Sequence, residues 1–220
     1  RYIGMYLENS NGKSIKNIII ASYDYDYKKY ADRVYAFENV EMCREISIVR
    51  AIKSIIEVRK CIKKYKPDII YCHSSKAGAI GRIANIGKKN KIIYNPHGWA
   101  FNMQCPKIKK LIYIYIEKIL ALLTDRIIAI SPFEKKSALK YKICKENKIV
   151  VINNGIDTKK YISNKYRLKK CELGIDDDTY VVGMVGRLSK QKAPDIFVKA
   201  SELIEKEIEK VFFIIVGDGE

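Results

Sequence analysis

The only two histidines of this 220-residue chain lie in segments that could do chemistry. His73 closes the apolar run of residues 68–73, and His97 follows the apolar run of residues 91–95. Histidine changes its charge near neutral pH, so it suits proton transfer or polar contact with a substrate. If both runs are strands of one parallel sheet, their carboxyl ends share the edge where open α/β sheets bind ligands. The alternative is that each histidine only satisfies backbone groups of its own loop.

Small and polar residues follow His73 at the predicted start of a helix. Ser74, Ser75 and Lys76 would place hydroxyl groups and a positive charge at this edge of the sheet. Helix N termini attract anions through their unpaired N–H groups, so we expect these residues to line a ligand site. The alternative is a structural helix start, in which Ser74 or Ser75 caps the first turn.

Glycines shape both histidine segments. Pro96 fixes the approach to His97, and Gly98 lets the chain turn sharply behind it. Gly78 and Gly81 fall in the predicted helix, where they would let the helix approach the sheet closely. A ligand site and a tightly packed structural edge would both use these glycines.

A third cluster combines glycine with positive charge. Gly183 and Gly186 flank the end of an apolar run, and Arg187, Lys190 and Lys192 follow within one loop. Glycine permits close backbone approach, arginine offers a bidentate fork and lysine a point charge, so the loop suits a diphosphate. The loop matches neither the Walker pattern nor the G-x-G-x-x-G dinucleotide pattern. The alternative is a basic surface turn.

Strand-length apolar runs alternate with longer segments of helical periodicity. Continuous Ile and Val runs are typical of strands that are buried on both faces of a parallel sheet covered by helices. Helices are predicted at 46–66, 76–89, 107–125 and 132–141, and strands at 17–22, 68–74, 91–98 and 126–131. Residues 148–157 are predicted to form a strand that ends in a turn. The sequence therefore predicts an α/β fold with the two histidines on adjacent strand ends.

A second unit is predicted toward the end of the chain. A strand with its basic loop (179–192), a helix (193–208) and a further strand (210–220) form one βαβ unit. The predicted division is a first domain, a polar and charged linker, and the opening of a second domain, at residues 1–157, 158–178 and 179–220.

The chain is strongly basic, with 42 Lys and Arg, 25 Asp and Glu, and a formal net charge of +17. Nucleic-acid binding would gather this charge in a stripe with interleaved aromatic residues. The lysines are instead spread along the whole sequence, so we expect no nucleic-acid partner. Attraction to an anionic membrane would need a basic amphipathic face. The remaining interpretation is a general excess of lysine at solvated positions.

The six cysteines form no recognisable metal site or disulfide framework. No two of them are spaced C-x-x-C, and the histidines do not complete a zinc-ligand spacing. We therefore expect free thiols in a reducing compartment. The sequence has no apolar run long enough to span a bilayer and no signal peptide, which favours a cytoplasmic protein.

One predicted helix has the composition of a membrane-surface helix. Residues 107–123 combine four lysines with a majority of Ile, Leu and Tyr, the lysines being Lys107, Lys109, Lys110 and Lys118. We expect its Ile and Leu side chains to dock on the sheet. The outward lysines could then contact the inner face of an anionic cell membrane peripherally.

Taken together and in this order, these segments resemble the family 4 glycosyltransferases of GT-B fold, bacterial enzymes of capsule, exopolysaccharide and lipopolysaccharide assembly. The matching stretches are REIS (44–47), KPDIIYCHSSKAGAIGRIA (66–84), IIYNPHGWAFN (92–102), EKILALLTDRIIAIS (117–131), KIVVINNGID (148–157), VVGMVGRLSKQKAPDIFVKA (181–200) and FFIIVGDGE (212–220). The motifs are specific in combination rather than singly. The resemblance implies two Rossmann-like parallel-sheet domains, acceptor side first, with the second truncated here after its first βαβ unit.

The resemblance also implies residue roles. His97 matches the catalytic cleft histidine that approaches the transferring sugar, and Gly186, Arg187 and Lys192 match the donor diphosphate site. The implied reaction moves a sugar with retention from a UDP- or GDP-sugar to a saccharide or lipid-linked acceptor, without a metal or another cofactor. The implied acceptor-side and cleft-lining residues are His73, Ser74, Ser75, Lys76 and Gly98.

Two parts of the family pattern are not found in these 220 residues. The glycine-rich loop after the first strand is expected before residue 1, and an E-x7-E segment is expected after Glu220. We therefore expect the first strand to be missing and this fragment alone to be inactive. The alternatives are a truncated, non-catalytic binding module of the same fold and a sugar-nucleotide 2-epimerase, a class that shares the two-domain design but not the GRLSKQKAPD pattern (186–195).

Overall fold

The computed structural model describes residues 2–10, 15–42, 47–162 and 168–219. The chain forms two compact units, residues 1–155 and 156–220. Each unit contains parallel strands joined by helices, so the predicted α/β fold is confirmed. The linker assigned to residues 158–178 stays a prediction. Part of it, and most of the REIS stretch, lie outside the described residues.

The first unit provides six strands and five helices in its described parts. In chain order they are α1 (Tyr2–Ser10), β1 (Ile18–Ala21), β2 (Ala36–Asn39), α2 (Ile48–Tyr65), β3 (Ile69–His73), α3 (Ser75–Ala84), β4 (Lys91–Asn95), α4 (Lys107–Leu122), β5 (Arg126–Ala129), α5 (Pro132–Lys140) and β6 (Ile149–Val151). Strands β3, β4, β5 and β6 form a parallel sheet in that order, and β1 pairs with β2 in parallel. The register places His73 opposite Asn95, so the carboxyl ends of β3 and β4 coincide as predicted.

Three elements differ from the sequence prediction. Residues 1–40 resemble the first helix and second strand of the family's first domain, whereas the structure adds β2, in which Phe37 is the only large apolar side chain. Helix α3 ends at Ala84 rather than near residue 89, because the chain turns through Gly87 with a φ of 75°. Within residues 148–157, predicted as a strand that ends in a turn, strand β6 covers only Ile149–Val151.

Local sequence signals set the helix ends. Ser47 caps α2 through its side chain, and α2 ends where Lys66 adopts a left-handed conformation. Pro67 follows and prevents continuation of the helix. Ser131 caps α5 through its side chain, with Pro132 in the first turn, where its fixed φ suits a helix start. These local signals determine where α2 ends before β3 and where α5 begins after β5.

Helix α3 lies unusually close to the sheet because of its two glycines. A Cβ at Gly78 would lie 2.4 Å from the ring of Tyr94, and a Cβ at Gly81 would lie 2.7 Å from Cys72 Sγ. Both distances are shorter than any carbon contact can tolerate. The predicted close packing is therefore confirmed, and it brings the start of α3 against the ends of β3 and β4.

A smaller apolar cluster connects the two sheets of the first unit. Its buried members are Val40, Val58, Ile62, Ile80 and Ala84. Ile20 of β1 and Ile70 of β3 both pack against this cluster. Helices α2 and α3 therefore cover the β1–β2 pair and the β3 edge of the larger sheet together.

Helix α4 contradicts the expectation that its Ile and Leu side chains dock on the sheet. Its inward side consists of Ile114, Glu117, Leu120 and Ala121. Its other large apolar side chains are mostly exposed. The reason is that α4 is apolar on nearly every side, so its periodicity does not specify which face turns inward. In the described part of the chain, no helix is long and apolar enough to cross a membrane.

The second unit holds α6 (Lys159–Ile162), β7 (Tyr180–Val185), α7 (Pro194–Glu205) and β8 (Val211–Val216). Strands β7 and β8 pair in parallel over their whole length, which is the predicted βαβ unit. The strand ends meet closely, since a Cβ at Gly217 would lie 1.8 Å from the carbonyl oxygen of Gly186. Glycine is required there for steric reasons.

Candidate functional site

The two histidines meet at the carboxyl edge of the larger sheet. The Nδ1 atom of His73 lies 2.9 Å from the Nε2 atom of His97, and their rings stack with an interplanar angle of 21°. A hydrogen bond between two ring nitrogens needs one N–H donor and one lone pair, so the pair holds at least one neutral imidazole. The structure thus joins the two histidines that the sequence placed on adjacent strand ends.

The His97 loop has an uncommon backbone conformation. His97 and Gly98 have consecutive positive φ values of 53° and 120°, and a positive φ is uncommon for any residue with a Cβ. The fully buried Asn95 holds this turn, because its Oδ1 accepts the backbone N–H of His97 at 3.0 Å. Strained backbone of this kind concentrates at functional sites. Asn95 is a site residue that the sequence interpretation did not single out.

Two tyrosines enclose the histidine pair. The ring of Tyr71 lies 4.1 Å from that of His73, and the ring of Tyr2 lies 4.9 Å from that of His97. The hydroxyl oxygens of Tyr2 and Tyr71 are 2.7 Å apart. No local signal identifies either tyrosine, because the contact joins the first helix to a strand 69 residues later.

Burial keeps the imidazoles neutral at physiological pH. It lowers the pKa of His73 to about 4, and the neighbouring His97 adds to this shift. Burial also lowers the pKa of His97, and burial together with the hydrogen bond between the Tyr71 and Tyr2 hydroxyls raises the pKa of Tyr71. The two imidazoles are therefore neutral hydrogen-bonding groups rather than cations.

A cavity of about 730 Å³ opens beside the histidines. Its lining includes His73, Ser74, Lys76 and His97. The lining also includes residues of β1 and β3, two strands that each pair on one side only among the described strands. Among the predicted acceptor-side residues, Ser75 and Gly98 do not line this cavity.

The start of α3 is not a simple serine cap. Ser74 has a φ of 66° and its side chain makes no capping hydrogen bond. Its backbone N–H instead donates to the carbonyl of Asn95 at 3.0 Å. The capping alternative therefore fails for Ser74, and the first turn of α3 is fastened directly to the end of β4.

Glu134 is a buried carboxyl group behind the His97 loop. Its Oε2 accepts the N–H of Ile130 at 3.1 Å, and its backbone carbonyl accepts the indole N–H of Trp99 at 3.0 Å. A Cβ at Gly98 would lie 3.8 Å from its Oε1. Burial raises the pKa of Glu134. The S-x-x-E spacing from Ser131 is the signal that could have identified it.

The second unit gathers its predicted diphosphate residues in the loop from β7 to α7. If Gly186 carried a Cβ, that atom would lie 3.7–3.9 Å from the Cγ, Cδ and Cε atoms of Lys192, so the lysine side chain runs alongside this glycine. Arg187 follows Gly186 directly, and the hydroxyl of the buried Ser189 finds no hydrogen-bond partner among the described residues. The loop ends at the N terminus of α7, whose first turn contains Pro194, which has no N–H group, and the acidic Asp195.

In the described part of the chain, the cysteines form no disulfide and the cysteine, histidine and acidic side chains form no metal-binding group. The five cysteines that the structure describes are free, as expected. Within the described ranges, no group of three or more His, Cys, Asp or Glu residues is placed to hold a metal ion.

Comparison with known protein families gives two matches that together cover most of the chain. Residues 16–160 match the model of Glycosyltransferase Family 4, and residues 166–220 match the model of Glycosyl transferases group 1.

Among individual relatives, the chain is 39% identical to the UDP-Gal:alpha-D-GlcNAc-diphosphoundecaprenol alpha-1,3-galactosyltransferase of Escherichia coli, over 86% of this chain and 50% of that protein. It is 28% identical to a capsular polysaccharide biosynthesis glycosyltransferase of Staphylococcus aureus, over 92% of this chain and 54% of that protein. The chain thus spans about half the length of these relatives.

Solved structures show the same fold at low sequence identity. The Anabaena protein HepE, in complex with UDP and glucose, matches with a TM-score of 0.71 at 18% identity, over 100% of this chain and 58% of that chain. A UDP-N-acetylglucosamine 2-epimerase matches with a TM-score of 0.65 at 15% identity, over 96% of this chain and 58% of that chain. These likenesses concern the fold alone.

Proposed function

Because the chain belongs to the family 4 glycosyltransferases, we propose that its protein transfers a sugar from a nucleoside diphosphate sugar to a saccharide acceptor. The proposed setting is the synthesis of a bacterial surface polysaccharide, as the names of the relatives suggest. The observation that carries the proposal is the neutral His97, held on a strained loop at the carboxyl edge by Asn95 and His73.

His97 acts in this proposal as a hydrogen-bonding group rather than a cation. With a lowered pKa, its imidazole can donate to or accept from a hydroxyl group of the transferring sugar without adding charge to the site. His73 fixes the ring orientation through the contact between Nδ1 and Nε2. The imidazole is then already oriented in the folded protein, so the reaction does not have to supply the free energy of orienting it.

Arg187 and Lys192 stabilise the leaving group in this proposal. Negative charge develops on the departing diphosphate as the sugar bond breaks, and two fixed positive charges lower the energy of that state. Arginine can bind two phosphate oxygens at once, and lysine adds a point charge. Gly186 carries no side chain, and the stem of Lys192 runs beside it.

The finer features of the reaction are further parts of the proposal. We expect retention at the anomeric carbon, a UDP-sugar donor in preference to a GDP-sugar, and no metal requirement. The acceptor is expected to be lipid-linked, since the relative from Escherichia coli acts on a diphosphoundecaprenol-linked sugar. A cytoplasmic location fits the free thiols of the described cysteines.

The test is product analysis with the full-length protein that contains this chain. UDP-galactose, UDP-glucose and UDP-N-acetylglucosamine would each be offered with a diphospholipid-linked sugar acceptor, with and without EDTA. We expect a glycosylated lipid product of retained anomeric configuration by NMR, equally in EDTA. UDP binding without any transfer would instead favour the non-catalytic binding module, and epimerised free donor would favour a 2-epimerase.

A further inference from the structure

Glu134 brings a buried carboxyl group to the edge of the sheet that carries the histidines. The residue is 7% exposed, and its Oε2 accepts the backbone N–H of Ile130 at 3.1 Å. Ile130 directly follows β5, the strand that pairs with β4. The carboxyl group therefore lies at the carboxyl ends of the strands, beside the loop that carries His97.

The second carboxyl oxygen of Glu134, Oε1, has no hydrogen-bond donor among the described residues. Three side-chain atoms of these residues are fully enclosed without a partner, and Oε1 is not one of them, so Oε1 keeps contact with solvent. Within the same ranges no cation pairs with Glu134, and the pKa of its carboxyl group is raised by burial and lowered only by the N–H of Ile130. One oxygen thus serves the fold, and the other is left for a donor from outside.

Gly98 leaves Oε1 uncovered. A Cβ at Gly98 would lie 3.8 Å from Oε1, and among the described residues beyond its sequence neighbours it would meet no other heavy atom within 4 Å. The space above Gly98 is therefore open, and the carboxyl group of Glu134 borders it. Gly98 directly follows His97, which the proposed function places against the transferring sugar, so this opening adjoins the proposed reaction site.

We propose that Oε1 of Glu134 accepts a hydrogen bond from a hydroxyl group of a sugar substrate in the opening beside Gly98. Sugar hydroxyl groups are donors, and a carboxylate is a stronger acceptor for them than a neutral oxygen. This inference rests on the proposed function, because it needs a sugar at this edge of the sheet. The acceptor and the transferring sugar both carry hydroxyl groups, and deoxy substrates distinguish them.

A purely structural role would not require a carboxylate at this position. Ser131 begins α5 by accepting the backbone N–H of Glu134, and Ile130 needs one acceptor oxygen, which a glutamine amide also supplies. Burying a carboxylate without a cation costs free energy. The negative charge and the second oxygen are therefore features that the fold does not use.

The variant Glu134→Gln separates the two roles. Because the N–H of Ile130 needs an acceptor, the amide should turn its oxygen to Ile130 and its NH2 group to the opening beside Gly98. The fold then keeps its contact, while the acceptor that borders the opening becomes a donor. The matched control is Asp125→Asn, because Asp125 Oδ2 also accepts a backbone N–H, that of Ile92 at 2.8 Å, at the opposite edge of the sheet.

In the full-length protein, Glu134→Gln should lower kcat/KM for sugar transfer by about 10–100-fold, because a hydrogen bond to a charged acceptor is lost. Its urea midpoint should equal or exceed that of wild type, since a buried charge is removed. Asp125→Asn should keep kcat/KM within about twofold of wild type. Wild-type kcat/KM in Glu134→Gln would overturn the proposal, and a lower kcat/KM together with a lower urea midpoint would assign Glu134 to the fold instead.

Deoxy substrates give a readout that a structural role would not move. Wild type and Glu134→Gln would be compared on acceptors and on UDP-sugars that each lack one hydroxyl group. The bound hydroxyl is the one whose removal lowers kcat/KM by about 10–100-fold in wild type but by less than about threefold in the variant. Such an acceptor analogue assigns the acceptor, such a donor analogue assigns the transferring sugar, and the absence of any such analogue overturns the proposal. A wild type that transfers no sugar would instead refute the proposed function itself.

Discussion

Replacing Glu117 by glutamine should strongly destabilise the first unit. Arg82 is completely buried, and both of its terminal nitrogens lie 3.1 Å from Glu117 Oε2. The hydroxyl of Tyr94 donates to Glu117 Oε1 at 2.8 Å, and the Arg82 guanidinium stacks 3.8 Å from the Tyr94 ring centre. This network connects α3 and α4 to the strand that leads to His97.

The expected loss follows from the burial of both charges. Glutamine keeps the shape of Glu117 but leaves the Arg82 guanidinium without a counter-charge in a site that water does not reach. Breaking one partner of a buried ion pair costs about 3–5 kcal/mol. For a protein of this size, that corresponds to a fall in melting temperature of roughly 10 °C.

Trp99 provides the assay. It is the only tryptophan of the chain, and it is buried in the first unit 6.1 Å from the Tyr94 ring. Urea unfolding followed by its fluorescence therefore reports on the unit that holds the ion pair. The control is Lys91→Met, which breaks an exposed pair of Lys91 with Asp125 and should cost less than about 1 kcal/mol.

The double variant Arg82→Met and Glu117→Leu separates charge from packing. If an uncompensated charge causes the loss, the double variant should recover a large part of the stability that Glu117→Gln loses. A Glu117→Gln variant no less stable than Lys91→Met would refute the reasoning. A double variant at least as unstable as the single one would show that shape rather than charge matters at this position.

Three further outcomes are expected. The free energy of unfolding should fall as the pH drops below 6.5, because His73 has a pKa near 6.5 in the unfolded chain and a pKa of about 4 in the folded chain. Urea unfolding at pH 7.5 and at pH 5 should give free energies that differ by about 2 kcal/mol through this group. The variant His73→Gln should lose this difference. Gly78→Ala should cost about 1–3 kcal/mol, since its Cβ would meet the Tyr94 ring, whereas Gly155→Ala meets open space and should change little in the same unfolding experiment. Sugar transfer by the full-length protein should persist in EDTA, and loss of activity that added divalent metal restores would contradict the metal-free proposal.

The sheet and its helices were predictable because each left a local signal. Continuous Ile and Val runs marked β3, β4 and β5, and Pro67 and Pro132 marked a helix end and a helix start. The shared edge of His73 and His97 followed from the parallel order of the strands. Strand β2 left no such signal, because a four-residue strand with one large apolar side chain does not differ from a loop in sequence.

The surroundings of the site could not be predicted for a different reason. Tyr2 and Tyr71 meet through tertiary packing over 69 residues, which no pattern in either segment encodes. Glu134 fits a capping box, but its Oε2 binds the backbone of Ile130 instead of the capping residue. The exposure of most Ile and Leu side chains of α4 could not be predicted, because the periodicity of a helix that is apolar on nearly every side does not indicate which face is buried.

The most direct test of the account is the specificity constant for sugar transfer in three variants of the full-length protein. We predict that His97→Ala lowers kcat/KM by about 10²–10⁴-fold, and that Lys192→Ala lowers it by roughly 10–100-fold through weaker diphosphate binding. Lys199→Ala, an exposed lysine on α7, should leave it unchanged. Wild-type kcat/KM in His97→Ala would contradict the central claim that this histidine contacts the reacting sugar.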